Sequence, residues 1–103
     1  MKKVVAFGEI MMRLNPPEYR RFMQTDCMIS NYVGAEANMC VFLSYNGIHT
    51  DYITKLPNNM IAQCAMAQLH KYDVNTDNVV WGGDRIGVFF LERGASQRPS
   101  KIV

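Results

Sequence analysis

The alternation of apolar strand patterns with two helical patterns most limits the folds open to this 103-residue chain. Residues 4–7 read as a buried first strand, because a run of β-branched and aromatic residues ends at a glycine. Residues 34–46 predict a helix, residues 50–56 a second core strand, and residues 60–72 a second helix. Strands that alternate with helices pair mainly in parallel and carry the helices on their faces. The pattern therefore predicts an α/β fold.

Shorter strands interrupt this alternation in two regions, residues 10–33 and residues 86–103. The short strands predicted in these regions are residues 10–14, 20–23, 28–33 and 86–92, with another beginning at 101. Residues 78–81 predict a further short strand between the two regions. Pro16 and Pro17 cannot sit in a central strand, so the chain at residues 15–17 forms a loop or a sheet edge. We expect the two regions to build a separate small sheet.

The residue patterns of the two helices predict how each one packs. The second half of the first helix leaves almost no polar stripe, which predicts a helix covered on most sides. The second helix repeats apolar residues at helical spacing and is expected to bury one face. That face comprises Ile61, Ala65, Leu69 and Tyr72. Gly47 is expected to end the first helix in the left-handed conformation, and Asn58 or Asn59 to cap the second.

Composition excludes several functional classes. The net charge is +2 and no run of basic residues exceeds two, which is unlike a nucleic-acid-binding surface. The three cysteines, Cys27, Cys40 and Cys64, form no close pair, so neither a disulfide framework nor a zinc site is expected. No stretch is long enough to span a membrane, and a reducing cytoplasm fits the cysteine usage.

The strand pattern that begins at Ser100 predicts that the natural protein continues beyond Val103. Natural chains seldom stop inside a β run, because such an end leaves unpaired backbone groups. The alternative is an edge strand at a true terminus.

Two segments carry candidate binding residues. At residues 33–38 a glycine and small side chains allow close approach to the amino terminus of a helix, whose amides favour oxygen-rich groups. Asn38 lies one turn further and its amide suits sugar hydroxyls, although on the residues alone a plain helix start is the favoured interpretation. Phe89 and Phe90 lie on opposite faces of a strand, so one ring can cover a ligand, or both can belong to the core. No Rossmann or Walker phosphate loop is present.

Residues 33–57, which read VGAEANMCVFLSYNGIHTDYITKLP, resemble the amino-terminal motif of ribokinase-like, or PfkB-type, carbohydrate kinases. The resemblance extends over nearly the whole chain, through the opening VVAFGEIMMRL, the KLPNN turn and DVNTDNV. The closing GVFFLERGASQRPSKIV is most similar to the 2-keto-3-deoxygluconate kinase branch.

The resemblance implies the amino-terminal part of a three-layer α/β/α sandwich with a small β-sheet lid. It places the core at about residues 1–9 and 34–85, and the lid at about 10–33 and 86–103. It implies ATP-dependent phosphorylation of 2-keto-3-deoxygluconate with Mg²⁺, by a catalytic base and a nucleotide site that lie beyond this chain. The fragment alone is then expected to be inactive. Alternatives are another ribokinase-like kinase such as a fructokinase, or a non-catalytic binding or dimerisation module.

The same resemblance implies that Gly34, Ala35, Asn38 and Phe89 contact the sugar. Relatives often carry tyrosine at the position of Phe89, so a hydroxyl is missing here. The tyrosine and arginine that grip the substrate carboxylate would follow Val103. The implied partners are a sugar acid, ATP and a second copy bound through the lid, with no nucleic acid, no membrane and no metal ligand in this chain. Departures from the family pattern are Val33, Asn58 and Ala62.

Overall fold

The computed structural model describes residues 3–94 and 98–103 as eight strands, two α-helices and one short 3₁₀ turn. The strands are β1 (Lys3–Phe7), β2 (Met11–Asn15), β3 (Ile29–Val33), β4 (His49–Ile53), β5 (Lys55–Leu56), β6 (Val80–Trp81), β7 (Gly87–Glu92) and β8 (Lys101–Ile102). The helices are α1 (Ala35–Tyr45) and α2 (Met60–Lys71). Residues 1–2 of the predicted core segment 1–9 and residues 95–97 of the predicted lid segment 86–103 lie outside the described residues.

The core of the chain forms where α1 packs on the parallel pair β1 and β4. The pairing runs from Lys3 opposite His49 to Phe7 opposite Ile53. The buried apolar residues of this layer are Ala6, Ala37, Cys40 and Tyr52. The last turn of α1 is tied to β4 by a hydrogen bond between the Ser44 and Thr50 hydroxyls. Small side chains at the helix–sheet contact let the two backbones approach, so α1 begins at a fixed place above the sheet.

The opposite face of β1 carries exposed apolar side chains. Val5 is 54% exposed and Phe7 is 79% exposed, although both lie on a strand of a parallel pair. Parallel sheets normally bury both faces under helices. Described residues cover one face of β1 and leave the other open.

The two irregular regions meet in a separate four-stranded sheet with the order β3-β2-β7-β8. β2 pairs antiparallel with β3 and parallel with β7, and β7 pairs antiparallel with β8. β2 and β3 come from residues 10–33, and β7 and β8 from residues 86–103. A third, two-stranded parallel sheet joins β5 to β6. The single strand predicted at residues 50–56 is therefore two strands, β4 and β5, which pair with different neighbours.

Asn59 caps helix α2 just before its first residue, and the Asn59 side-chain oxygen accepts a hydrogen bond from the Ala62 amide at 2.9 Å. The buried residues are Ala62, Ala65, Met66 and Leu69, an unbroken stripe at helical spacing. The prediction that Ile61 belongs to the buried face is wrong, because that stripe turns Ile61 outward to 43% exposure. Tyr72 is only half-buried at the helix end.

Two other predictions are wrong. Residues 20–23 form no strand, because the Arg21 amide donates to the Gln24 side chain at 2.8 Å and the Gln24 amide donates to the Arg21 carbonyl at 2.9 Å, which closes a 3₁₀ turn. Helix α1 is not covered on most sides, since Phe42 is 66% and Tyr45 81% exposed. Its apolar outer side has no packing partner among residues 3–94 and 98–103.

Gly47 ends α1 with a φ of +82°, as its position predicted. The described helices are all too short or too polar to cross a membrane.

Burial of Tyr52 makes the fold sensitive to alkali. Tyr52 is fully buried in β4, and this burial raises its pKa to about 12 from 10.0. The stability that the protonated Tyr52 contributes is intact below pH 10. It is lost as the pH rises to about 12, because this tyrosine ionises in the unfolded chain at a lower pH than in the folded one. We expect the free energy of unfolding, measured by circular dichroism, to fall by about 2 kcal/mol across this pH window. Tyr52→Phe should remove that loss, whereas the exposed Tyr45→Phe should retain it.

Candidate functional site

Two glycines, Gly8 and Gly34, allow the end of β1 and the start of α1 to pack closely against each other. A side chain at Gly34 would overlap the backbone carbonyl oxygen of Glu9, and one at Gly8 would overlap the Glu36 carboxylate. The backbone of Gly34 is extended, with φ −178° and ψ 149°, so the need for glycine here is steric rather than conformational. The two segments therefore touch backbone to backbone, and this contact fixes the first turn of α1.

The start of α1 carries three of the four predicted sugar-binding residues, Gly34, Ala35 and Asn38. Gly34 is buried and caps the helix, and its carbonyl accepts a hydrogen bond from the Asn38 amide at 2.8 Å. Ala35 and Asn38 are exposed, one turn apart. Unpaired amides in the first turn of a helix and the helix dipole favour oxygen-rich or anionic groups at this end.

A cavity of about 640 Å³ lies between α1, the end of α2 and the four-stranded sheet. Its described lining residues are Arg13, Asn31, Tyr32, Val33, Asn38, Val41, Phe42, Tyr45, Gln68, Lys71 and Tyr72. The volume is in the range of small-molecule sites. Apolar and aromatic walls with a few polar groups are the usual composition of such a site.

A row of three side chains crosses the middle of the four-stranded sheet. Arg13 of β2 pairs with Asn31 of β3 and with Phe89 of β7, so all three project from one face. Phe90 projects from the other face, where its ring meets Phe22 edge-on with a centroid separation of 6.4 Å. The two phenylalanines thus serve different surfaces.

The four predicted site residues lie at different distances from the cavity, and not all of them line it. Asn38 lines the cavity, while Gly34 shapes the helix start from behind and Ala35 lies beside it. Phe89 is half-buried on the Arg13 face of the sheet. Of these four, only Asn38 is among the described lining residues of the cavity.

Sequence reasoning missed Arg13, Asn31 and Lys71. The signal for Arg13 was a charged side chain between the apolar residues of a short strand, an arrangement that indicates a polar environment on one side. Asn31 and Lys71 carry no such signal, because their roles depend on the pairing of β3 with β2 and on where α2 ends.

The cavity wall at β3 is held by a side chain from α2. The Gln68 amide nitrogen donates to the Tyr32 carbonyl, and the Gln68 amide oxygen accepts from the Tyr32 amide at 3.3 Å. Burial and, to a smaller extent, the neighbouring Cys64 thiol raise the pKa of Tyr32 above its ordinary value. This bridge fixes the distance between the helix layer and the small sheet, and therefore the width of the cavity.

The described residues do not form a site for a metal ion. In the ranges 3–94 and 98–103, no three His, Cys, Asp or Glu side chains converge as a metal would require. The cavity can bind and orient a polar small molecule. Its described lining offers amides, hydroxyls and cations, and it contains no carboxylate that could accept a proton from a hydroxyl.

Comparison with known proteins gives consistent similarities over the whole chain. The model of the pfkB family carbohydrate kinases matches residues 1–102. A 2-dehydro-3-deoxygalactonokinase of Haloferax volcanii is 31% identical over 102 residues, which cover 98% of this chain and 32% of that protein. A 5-dehydro-2-deoxygluconokinase of Bacillus subtilis is 28% identical over 92 residues, covering 86% of this chain and 28% of that protein.

A crystal structure of a 2-dehydro-3-deoxygluconokinase from Thermotoga maritima superposes with a TM-score of 0.97. It is 52% identical, and the match covers 100% of this chain and 32% of that one. The expected α/β fold class is confirmed by this similarity. This chain spans about a third of the length of the relatives it matches.

Proposed function

This chain belongs to the pfkB family of carbohydrate kinases, and from that premise we propose that the whole protein phosphorylates 2-keto-3-deoxygluconate with ATP. The observation that carries the proposal is the cavity where Asn38, at the start of α1, faces the Arg13 row of the small sheet. Amides and cations in one cavity suit a ligand that combines hydroxyl groups with a carboxylate.

The class of substrate is supported by what the similar proteins are. Each of the three relatives is named for a keto-deoxy sugar acid, although the sugars differ. The relative with the highest identity among the three acts, by its name, on 2-dehydro-3-deoxygluconate, which is the 2-keto-3-deoxy acid proposed here. We propose that Gly34, Ala35, Asn38 and Phe89 contact the sugar.

Phosphoryl transfer needs groups that the described residues do not supply. A sugar hydroxyl must lose its proton as it attacks the γ-phosphorus, and the charge that develops on the phosphoryl oxygens needs Mg²⁺ and positioned donors. We propose that the proton acceptor, ATP and Mg²⁺ bind to other parts of the whole protein. The contribution of this chain is to bind the sugar, orient it and exclude water.

We propose that the four-stranded sheet acts as a lid and also joins two copies of the protein. The face opposite Arg13 carries an apolar hollow of about 260 Å³ lined by Phe22, Met28, Phe90 and Val103. An exposed apolar sheet face of this kind indicates a protein partner. We place the reaction in the cytoplasm, where ATP is available.

The alternative of a complete, non-catalytic module is less consistent with the surface of the chain. Its radius of gyration is 15.3 Å, against about 13 Å for a compact chain of this length. Phe7 and Tyr45 are each about four-fifths exposed. Such a surface fits a piece that packs against more protein.

An activity assay of the whole protein and of the 103-residue chain tests the proposal. The whole protein is incubated with ATP, Mg²⁺ and a panel of sugars, and ADP release is measured. We expect the highest kcat/KM for 2-keto-3-deoxygluconate, lower values for its galacto epimer and for fructose, and no turnover by the 103-residue chain. Turnover by the short chain, or a preference of the whole protein for a neutral sugar, would contradict the proposal.

A further inference from the structure

Strand β3 lies at an edge of the four-stranded sheet, and at one residue its outer side is paired with a side chain. In an antiparallel pair, alternate residues exchange both backbone hydrogen bonds with the partner strand, and the residues between them turn these groups outward. The amide and the carbonyl of Tyr32 both bond to Gln68 of α2, so they face away from β2. Tyr32 is thus the point at which the helix layer holds the edge of the sheet.

The side-chain amide of Gln68 reproduces the pairing that a neighbouring strand would give. A primary amide carries a donor and an acceptor side by side. Gln68 uses the donor on the Tyr32 carbonyl and the acceptor on the Tyr32 amide, the latter at 3.3 Å. The outward backbone groups of an edge strand otherwise stay open to water or to another chain. Gln68 therefore ties down the edge at Tyr32 without adding a strand.

The side chain of Tyr32 is anchored on the same helix. Tyr32 is 9% exposed and belongs to the core cluster, together with Ala65 and Leu69 of α2. Cys64 lies four residues before Gln68, on the same face of α2, and its thiol neighbours the Tyr32 hydroxyl. One residue of β3 is therefore held by α2 through its backbone and through its ring.

The two residues that flank Tyr32 belong to the cavity wall. Asn31 and Val33 both line the cavity, and β3 passes directly into Gly34, the cap of α1. The Tyr32 clamp, by which we mean the contacts of Gln68 and Cys64 with Tyr32, thus acts on the segment that joins the small sheet to the start of α1. Release of Tyr32 would free this wall to move away from α2.

From these observations, and resting on the proposed function, we infer that Gln68 is a positioning residue that keeps the β3 wall of the cavity preformed before the sugar binds. It acts through Tyr32 and not through the reacting atoms. When a binding-competent conformation is only partly populated, the apparent affinity falls by the populated fraction. Loss of the Tyr32 clamp is therefore expected to weaken sugar binding and to spare the rate of phosphoryl transfer in the bound complex.

Gln68→Met in the whole protein tests the inference by kinetics. Methionine is also long and unbranched but lacks the amide. We expect KM for 2-keto-3-deoxygluconate to rise about tenfold, as when the competent conformation falls to about a tenth of the molecules, and kcat to stay within about twofold. Gln63→Met makes the same change at an exposed position of α2 and should alter neither constant. An unchanged KM in Gln68→Met, or equal falls in kcat and kcat/KM, would contradict the role of Gln68.

Hydrogen exchange at the Tyr32 amide gives a readout that does not depend on catalysis. Overlapping peptides across β3 are followed by mass spectrometry with and without saturating sugar. In the wild type this amide should be protected already, and the sugar should change its exchange little. In Gln68→Met the exchange should be at least about tenfold faster, and the sugar should slow it toward the wild-type rate. Wild-type exchange in the variant, or no response to the sugar, would mean that Gln68 does not preform the wall.

A second variant covers the case in which thermal melting shows Gln68→Met to be unfolded. Gln68→Glu then becomes the deciding variant, because its ionised carboxylate can accept from the Tyr32 amide but has no donor for the Tyr32 carbonyl. The same rise in KM and the same faster exchange are expected. Their absence in Gln68→Glu contradicts the inference.

The outcomes separate this inference from the proposed function. The variants are compared on whichever sugar of the panel gives the highest kcat/KM with the wild type. A wild-type protein that prefers a neutral sugar contradicts the proposed function, while the effect of Gln68→Met on KM for that sugar still decides the role of Gln68. A wild-type protein that prefers the acid, with an unchanged KM in the variant, contradicts the role of Gln68 alone. A wild-type protein that phosphorylates none of the sugars contradicts both.

Discussion

Replacing Gly34 with alanine is expected to destabilise the protein by about 1–3 kcal/mol and to lower kcat/KM for the sugar about a hundredfold. The added methyl group would overlap the carbonyl oxygen of Glu9, which belongs to the backbone and cannot turn away as a side chain could. Relief requires α1 to move away from the end of β1. Because Asn38 lies in the next turn of α1, the cavity is displaced together with the helix start.

The loss of activity should exceed the loss of stability because catalysis depends on position. Misplacing a bound reactant by about 1 Å is enough to cost two orders of magnitude in rate. We expect the melting temperature of the whole protein to fall by a few degrees while most of the protein remains folded at 25 °C. Kinetics measured at that temperature then report the geometry of the site rather than the amount of folded protein.

Gly47→Ala is the matched control for Gly34→Ala. Gly47 lies at the other end of the same helix, and a side chain there meets no atom within 4 Å. Its positive φ of 82° makes alanine unfavourable by about 1 kcal/mol, so this variant should lose stability but keep its kinetic constants. Equal kinetic losses in the two variants, or wild-type kinetics in Gly34→Ala, would show that the start of α1 does not position the sugar.

The main elements of the fold could be predicted from the sequence because each one carries a local signal. The first strand, both helices, a cap at Asn58 or Asn59 and the left-handed Gly47 follow from periodicity and from residue chemistry close by in the chain. The 3₁₀ turn after Arg21 was missed because it depends on the Gln24 side chain folding back onto the backbone. That competition between side chain and strand pairing leaves no periodic pattern.

The candidate site was harder to predict than the fold. Gly34 and Asn38 belong to a contiguous motif, so a resemblance could single them out. Arg13 and Asn31 meet only because β2 and β3 pair in one particular register, across a connection of more than ten residues. A shift by one residue would send Arg13 to the opposite face of the sheet. No pattern within either strand specifies that register, which depends on the packing of the whole small sheet.

Ile61 points outward because α2 packs through the stripe from Ala62 to Leu69. The difference between the buried and the exposed face of α2 leads to the second prediction with a large effect. Met66→Ala is expected to lower the free energy of unfolding of the 103-residue chain by about 2–5 kcal/mol. Met66 is 8% exposed and lies in the stripe of α2 that joins the core cluster, so its removal leaves a cavity there. Urea unfolding followed by circular dichroism at 222 nm measures the loss.

Met60→Ala makes the same chemical change on the same helix and is the appropriate comparison. Met60 is 78% exposed at the first residue of α2, so its replacement should change the free energy of unfolding by no more than about 0.5 kcal/mol. The gain in helix propensity from methionine to alanine is small and similar in the two variants, so the difference between them reports burial. Similar losses in both variants, or no loss in either, would mean that α2 does not pack through the Ala62 to Leu69 stripe. The bridge from Gln68 to Tyr32 would then lack its support, since it starts from the same part of α2.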